Sequence, residues 1–172
     1  MVDTNGDGTL EIVERSSGLT VRDGRGEIIS QNRPVPFISN FSLCHWPGKN
    51  DRAYVLMSDD NTTWILDFEG KTVAQLEAPK AHRGMARGVP VKLKADQPEY
   101  FAVLVELQFY WRRSILYIYN PNHKLVYQEI LPETCGAIAA LPLDRSGTDA
   151  LLVGGWGKVW QYQIRNAAGN RR

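Results

Sequence analysis

The side chains best suited to chemistry stand at the start of the chain. In VDTNGDGTLEIVE, oxygen donors alternate with other residues: Asp3, Asn5 and Asp7, then Thr9 and Glu11, with glycine at positions 6 and 8. Alternating oxygens on a tightly curled backbone suit a hard divalent cation. Calcium takes six to eight oxygen ligands in a flexible geometry, and glycine reaches the positive φ angles that such a curl needs. The stretch also satisfies the twelve-residue calcium-loop pattern D-x-[DN]-x-[DN]-G-x5-E, with Gly8 at the turn and Glu14 in the twelfth place.

Other chemistry is sparse. His45, His82 and His123 are scattered and make no H-x-x-x-H metal pair. No serine sits in a nucleophile elbow, and no glycine loop is built to cradle phosphate. KAHRGMARG groups Lys80, His82, Arg83 and Arg87, which reads as an exposed polar connection or an anion-binding loop. QFYWRRS sets Phe109, Tyr110 and Trp111 beside Arg112 and Arg113. That pairing suits a protein or carbohydrate contact, or packing with the arginine heads in solvent. No catalytic residue is assigned. Cys44 and Cys135 are too few for a disulfide scaffold and read as two buried thiols.

The 172 residues carry a formal net charge of +1, which does not provide the concentrated basic surface of a nucleic-acid protein. No apolar run approaches the roughly 20 residues of a membrane helix.

The elements that must position the opening loop are strands. Short stretches rich in Val, Ile, Leu, Tyr and Trp recur between turn residues, among them AYVLMS, TWILDF, YFAVLVEL, SILYIYN, LVYQEIL and ALLVGG. One helical turn is expected around Lys80–Met85. A polar anchor stands before each central apolar strand: Glu11, Arg52, Glu99 and Asp149, spaced by 41, 47 and 50 residues. A hairpin follows the first three anchors, as in LTVRDGRGEIIS, TWILDFEGKTVAQL and SILYIYNPNHKLVYQEIL. A further strand precedes the last three, in FSLCHW, GVPVKLK and GAIAALPLD. The unit is four antiparallel strands in about 40 to 50 residues, the size of a propeller blade. The expected fold is therefore all-β, an array of about four four-stranded blades within a larger propeller. Repeats are expected at about 1–36, 37–79, 80–133 and 134–166, with a polar tail at 167–172. The first repeat lacks an inner strand and the last an outer one. The alternative is a β-sandwich. Val55, Leu56, Val103, Val105, Leu152 and Val153 are expected between successive sheets.

The loop DTNGDGTLEIV, with its degenerate echo LDRSGTDALLVGG, resembles FG-GAP/VCBS-type β-propeller repeats, which have integrin-α-like calcium loops. The resemblance implies that Asp3, Asn5 and Asp7 supply side-chain oxygens to calcium, that Thr9 supplies its backbone carbonyl, and that Glu11 closes the site. Strand and hairpin after Glu11 argue against a helix–loop–helix EF-hand, leaving Glu14 in a strand and outside the ligand set. The echo at Asp144–Asp149, with Arg145 and Ser146, reads as metal-free, as do the loops around Lys49, Arg52 and Lys94.

The function expected is a non-catalytic, calcium-supported propeller module for protein or carbohydrate binding or scaffolding. The resemblance implies a secreted, periplasmic or cell-surface setting, and uncovered terminal blades imply self-association. The alternative is a fragment of a secreted propeller enzyme such as a polysaccharide lyase.

Overall fold

The computed structural model describes residues 1–15, 19–32, 40–45, 53–59, 62–77, 84–107, 112–143 and 147–163. The fold is all-β, with no helix among these residues. Among the described residues, fourteen strands form four antiparallel sheets, each made from consecutive strands. The first sheet has β1 (Ile12–Arg15), β2 (Leu19–Arg22) and β3 (Ile28–Asn32). The second has β4 (Asn40–His45), β5 (Ala53–Asp59), β6 (Thr62–Leu66) and β7 (Thr72–Glu77). The third has β8 (Gly84–Val91), β9 (Tyr100–Leu107), β10 (Ser114–Tyr119) and β11 (Leu125–Leu131). The fourth has β12 (Cys135–Leu143), β13 (Thr148–Gly155) and β14 (Val159–Tyr162).

Alternation along each strand sends side chains to opposite faces. A sheet covered on both sides therefore needs apolar residues at every position. β9 and β10 meet this demand at every position except Glu106 and Ser114. Phe101, Val103, Val105, Ile115, Tyr117 and Tyr119 share one buried cluster with Ile65, Ala74 and Leu76 of the second sheet. Ala102, Leu104, Leu116 and Ile118 share another with Leu151 and Val153 of the fourth. Leu19 and Val21 of the first sheet meet Leu66 and Phe68 of the second. Three interfaces thus stack four sheets in chain order, unlike the single interface of a sandwich. Val103, Val105 and Val153 are buried as expected. Leu152 is only half-buried, because it lies on the face of the fourth sheet opposite Val153. The side chains of Val55 and Leu56 lie outside the described set.

The helical turn expected around Lys80–Met85 is corrected in part. Gly84 and Met85 open β8, where Met85 pairs with Glu106, and residues 80–83 lie outside the described set. Ladder pairing outweighs the weak helical preference of so short a segment.

Three hairpins share one turn. In the turns after β2, β6 and β10, Asp23, Asp67 and Asn120 each accept two backbone N–H groups through their Oδ1 atoms, from residues two and four positions on. Gly26, Gly70 and His123 take the left-handed position at φ 87°, 81° and 63°. This is the three-residue hairpin with a bulge, and a register shift precedes each turn.

Candidate metal centre

The opening loop is closed at its base by Val2 and Glu11. Each N–H donates to the other residue's carbonyl at 2.9 Å. Inside that closure the alternating side chains build a ladder of turns. Asp3 Oδ1 accepts the Asn5 N–H at 3.3 Å, Asn5 Oδ1 accepts the Asp7 N–H at 2.9 Å, and Asp7 Oδ1 accepts the Thr9 N–H at 2.7 Å. Each is an Asx turn, in which a short side chain bonds the backbone two residues on. Gly6 and Gly8 lie between the rungs at φ 82° and 84°. A Cβ at either position would meet no neighbour within 4 Å, so their backbone conformation, not crowding, makes glycine the fitting residue.

Asp3 gathers more than its rung. Oδ1 also accepts the Gly6 N–H at 2.6 Å, and Oδ2 accepts the Gly8 N–H at 2.9 Å. The Gly8 bond first, then that from Gly6, holds the Asp3 carboxyl below its ordinary value of 3.8. The Thr9 N–H does the same for Asp7, followed by the Asn5 side chain, whose Nδ2 reaches Asp7 Oδ2 at 2.9 Å. Both carboxylates are thus held charged at neutral pH.

Glu11 is 2% exposed. Its Oε2 accepts the backbone N–H of Thr4 at 2.7 Å and the Thr4 hydroxyl at 2.8 Å. Asp3, Asn5 and Asp7 are therefore drawn into one ladder of bonds, whereas Glu11 is turned to Thr4. Thr9 enters through its backbone N–H. Among the described residues no three His, Cys, Asp or Glu side chains converge as a preformed metal cage. The donors are all hard oxygens, which suits calcium. An ionised carboxylate offers about four lone-pair sites, so Asp3 and Asp7 retain acceptor capacity beyond the bonds named. Glu14 sits in β1, and its Oε1 accepts Arg22 Nε at 2.8 Å.

The anchor of the fourth sheet behaves differently. Asp149 Oδ2 accepts the Lys92 N–H at 2.7 Å, while the Asp149 N–H donates to the Lys92 carbonyl at 2.7 Å. The recurrence of a polar anchor marks this position in the sequence; nothing there names Lys92 as the partner. Asp144, Arg145 and Ser146 lie outside the described set, as do Lys49, Arg52, Lys80, His82, Arg83, Phe109, Tyr110 and Trp111, and residues 167–172. Arg87 is in β8, within 3.4 Å of Glu106.

A second junction joins the same two sheets. Ser114 Oγ accepts the Cys135 N–H at 2.8 Å and lies 3.5 Å from the Cys135 carbonyl. Cys135 is a buried free thiol, and burial pushes its pKa up, which makes it a poor nucleophile.

Comparison with known proteins bears on the fold. No family model matches the chain, and no curated protein does. The crystal structure of BBS1N in complex with ARL6DN, soaked with lead, superposes with a TM-score of 0.61 at 16% identity, covering 92% of this chain and 50% of that one. A protein of unknown function from Bacteroides caccae gives a TM-score of 0.52 at 19% identity, covering 94% and 54%. This is a β-propeller-like fold. The four sheets are its blades, and the chain spans about half the length of each of these structures.

Proposed function

We propose that this chain is a calcium-supported, non-catalytic propeller module whose Asp3–Glu11 loop binds the ion. The observation that carries the reading is the ladder of Asx turns at residues 3, 5 and 7. It aligns three side-chain oxygens on one curl of backbone. The buried Glu11 carboxylate adds support, because the two donors it receives from Thr4 are neutral and buried charges are normally paired or bound to a metal. Asp3, Asn5 and Asp7 would hold the ion through side chains, Thr9 through its carbonyl, and Glu11 by turning from Thr4. This is the arrangement implied by the resemblance to FG-GAP/VCBS repeats. The bound ion would supply charge neutralisation and tie the loop to β1. Calcium sites of extracellular modules have Kd values of roughly 0.1–1 mM, which fits a secreted, periplasmic or cell-surface setting.

The test is thermal unfolding in calcium and in chelator. At calcium about a hundredfold above Kd the gain is about 2.7 kcal/mol, or roughly 5–10 °C in midpoint for a chain of this size. Asp7→Ala should abolish the difference. Coincident curves for the parent protein would refute the reading.

A further inference from the structure

The blade end carrying the β13–β14 turn is opposite the end where the loop before β13 lies. That loop has the place in its blade that the Asp3–Glu11 loop has in the first. The turn reads Gly-Trp-Gly-Lys, and Trp156 is 92% exposed. Glycine on both sides leaves its indole unscreened by neighbouring side chains along the chain. A Cβ added at Gly157 would have nothing within 4 Å. Lys158 is exposed beside it.

Blade three brings charge to the same end. Cys135 is the shared neighbour: its N–H donates to Ser114 Oγ, and it pairs across the sheet with Gly155. Arg113 precedes Ser114, and Trp156 follows Gly155, so the two lie on one rim where the blades meet. Arg112 and Arg113 are both exposed. Of the acidic groups nearby, Glu106 faces Arg87, and Glu133 Oε1 is buried against the Gly155 backbone without a hydrogen-bond partner, one carboxylate against the three exposed cations of the rim.

We propose that this rim binds an acidic polysaccharide, with a sugar ring stacked on Trp156 and its carboxylates held by Arg112, Arg113 and Lys158. The cations select for negative charge, and arginine forks match carboxylates in two-bond geometry. The open indole face selects a sugar over an acidic peptide. Trp156 stands clear on a turn flanked by two glycines, and its flat apolar face is open to stacking by a pyranose ring. The proposal does not rest on the calcium reading.

The experiment is an NMR titration of the full chain with an oligogalacturonate, in chelator so that calcium cannot bridge carboxylates. The Trp156 indole signal is assigned by its loss in Trp156→Ala. The expected result is a saturable shift of that signal. Trp156→Ala should weaken affinity roughly tenfold or more, as loss of an aromatic anchor does. Arg112→Gln with Arg113→Gln should weaken it and flatten its salt dependence. A neutral cello-oligosaccharide should bind far less. Absence of binding at millimolar oligogalacturonate, or unchanged affinity in Trp156→Ala, overturns the proposal. Polyglutamate binding as tightly as the uronate also overturns it, in favour of an acidic peptide. Both variants alter exposed side chains, and their amide spectra report whether the fold is retained.

Discussion

Asp149 and Lys92 exchange two hydrogen bonds of 2.7 Å across 57 residues of sequence, one through the Asp149 carboxylate and one through its backbone N–H. The pair fastens the loop after β8 to the start of β13, and so one blade to the next. Removing the carboxylate strands a partly buried N–H, which costs about 1–3 kcal/mol. Asp149→Ala should lower the urea midpoint accordingly with an unchanged m-value. Asp149→Asn, which keeps an acceptor oxygen, should lose less.

Acid should loosen the opening loop at a defined place on the pH scale. Backbone N–H groups hold the Asp3 and Asp7 carboxyls below 3.8 in the folded chain. The folded state therefore binds fewer protons than the unfolded one in this range. Their contribution is complete only about one pH unit above the unfolded value of 3.8 and is lost as pH falls through the folded values. Protection of the Gly6 and Gly8 amides, measured relative to the intrinsic exchange rate, should be higher at neutral pH and fall below that point. Asp3→Asn should make exchange at these amides pH-insensitive once the intrinsic rate is removed.

The opposite sign applies to Tyr127. Its hydroxyl donates to Glu129 Oε2 at 2.6 Å, and that bond, then burial, pushes its pKa up to about 12. The protonated form is favoured in the folded chain. Its contribution is present below the usual phenol value of 10 and is lost between about pH 10 and 12. Alkaline absorbance titration should show Tyr127 ionising late. Glu129→Gln should bring it back toward 10, and an unmoved titration curve would count against the bond.

His123 holds the left-handed position that glycine holds in the two sister hairpins. A side chain there costs roughly 1–2 kcal/mol, partly offset because glycine loses more freedom on folding. His123→Gly should therefore stabilise by up to about 1 kcal/mol, seen as a higher denaturant midpoint. Gly70→His should do the reverse.

How much of this was legible varies with the kind of interaction. Strand pairing was, because period-two patterning and the D-x-x-G turns at Asp23 and Asp67 are local signals. Asn120 with His123 fills the same turn without a glycine, and it too read as a hairpin because of its flanking strands. The two-faced burial of β9 and β10 shows as unbroken apolar runs. The curl of the opening loop was legible, because its alternating oxygen residues and glycines are local signals; the bonds from Asp3, Asn5 and Asp7 to the backbone two residues on were not read from it. The turning of Glu11 to Thr4 was not legible, because a carboxylate chooses among donors by geometry that no spacing encodes. Nor were Asp149–Lys92 and Ser114–Cys135, whose partners meet only after two sheets have packed. The first turn of β8 was misjudged because Gly84 and Met85 carry almost no local preference.

The unbroken chain order of the strands bears on how the protein comes off the ribosome. Within its sheet each strand is laddered only to the strand before or after it in the chain. A growing chain need not hold an unpaired strand ready while a distant partner is translated. Each hairpin can close as its second arm emerges, and each finished sheet offers its apolar face to the next. Open edges and faces, the surfaces from which misassembly starts, are then exposed for about the time needed to synthesise one blade.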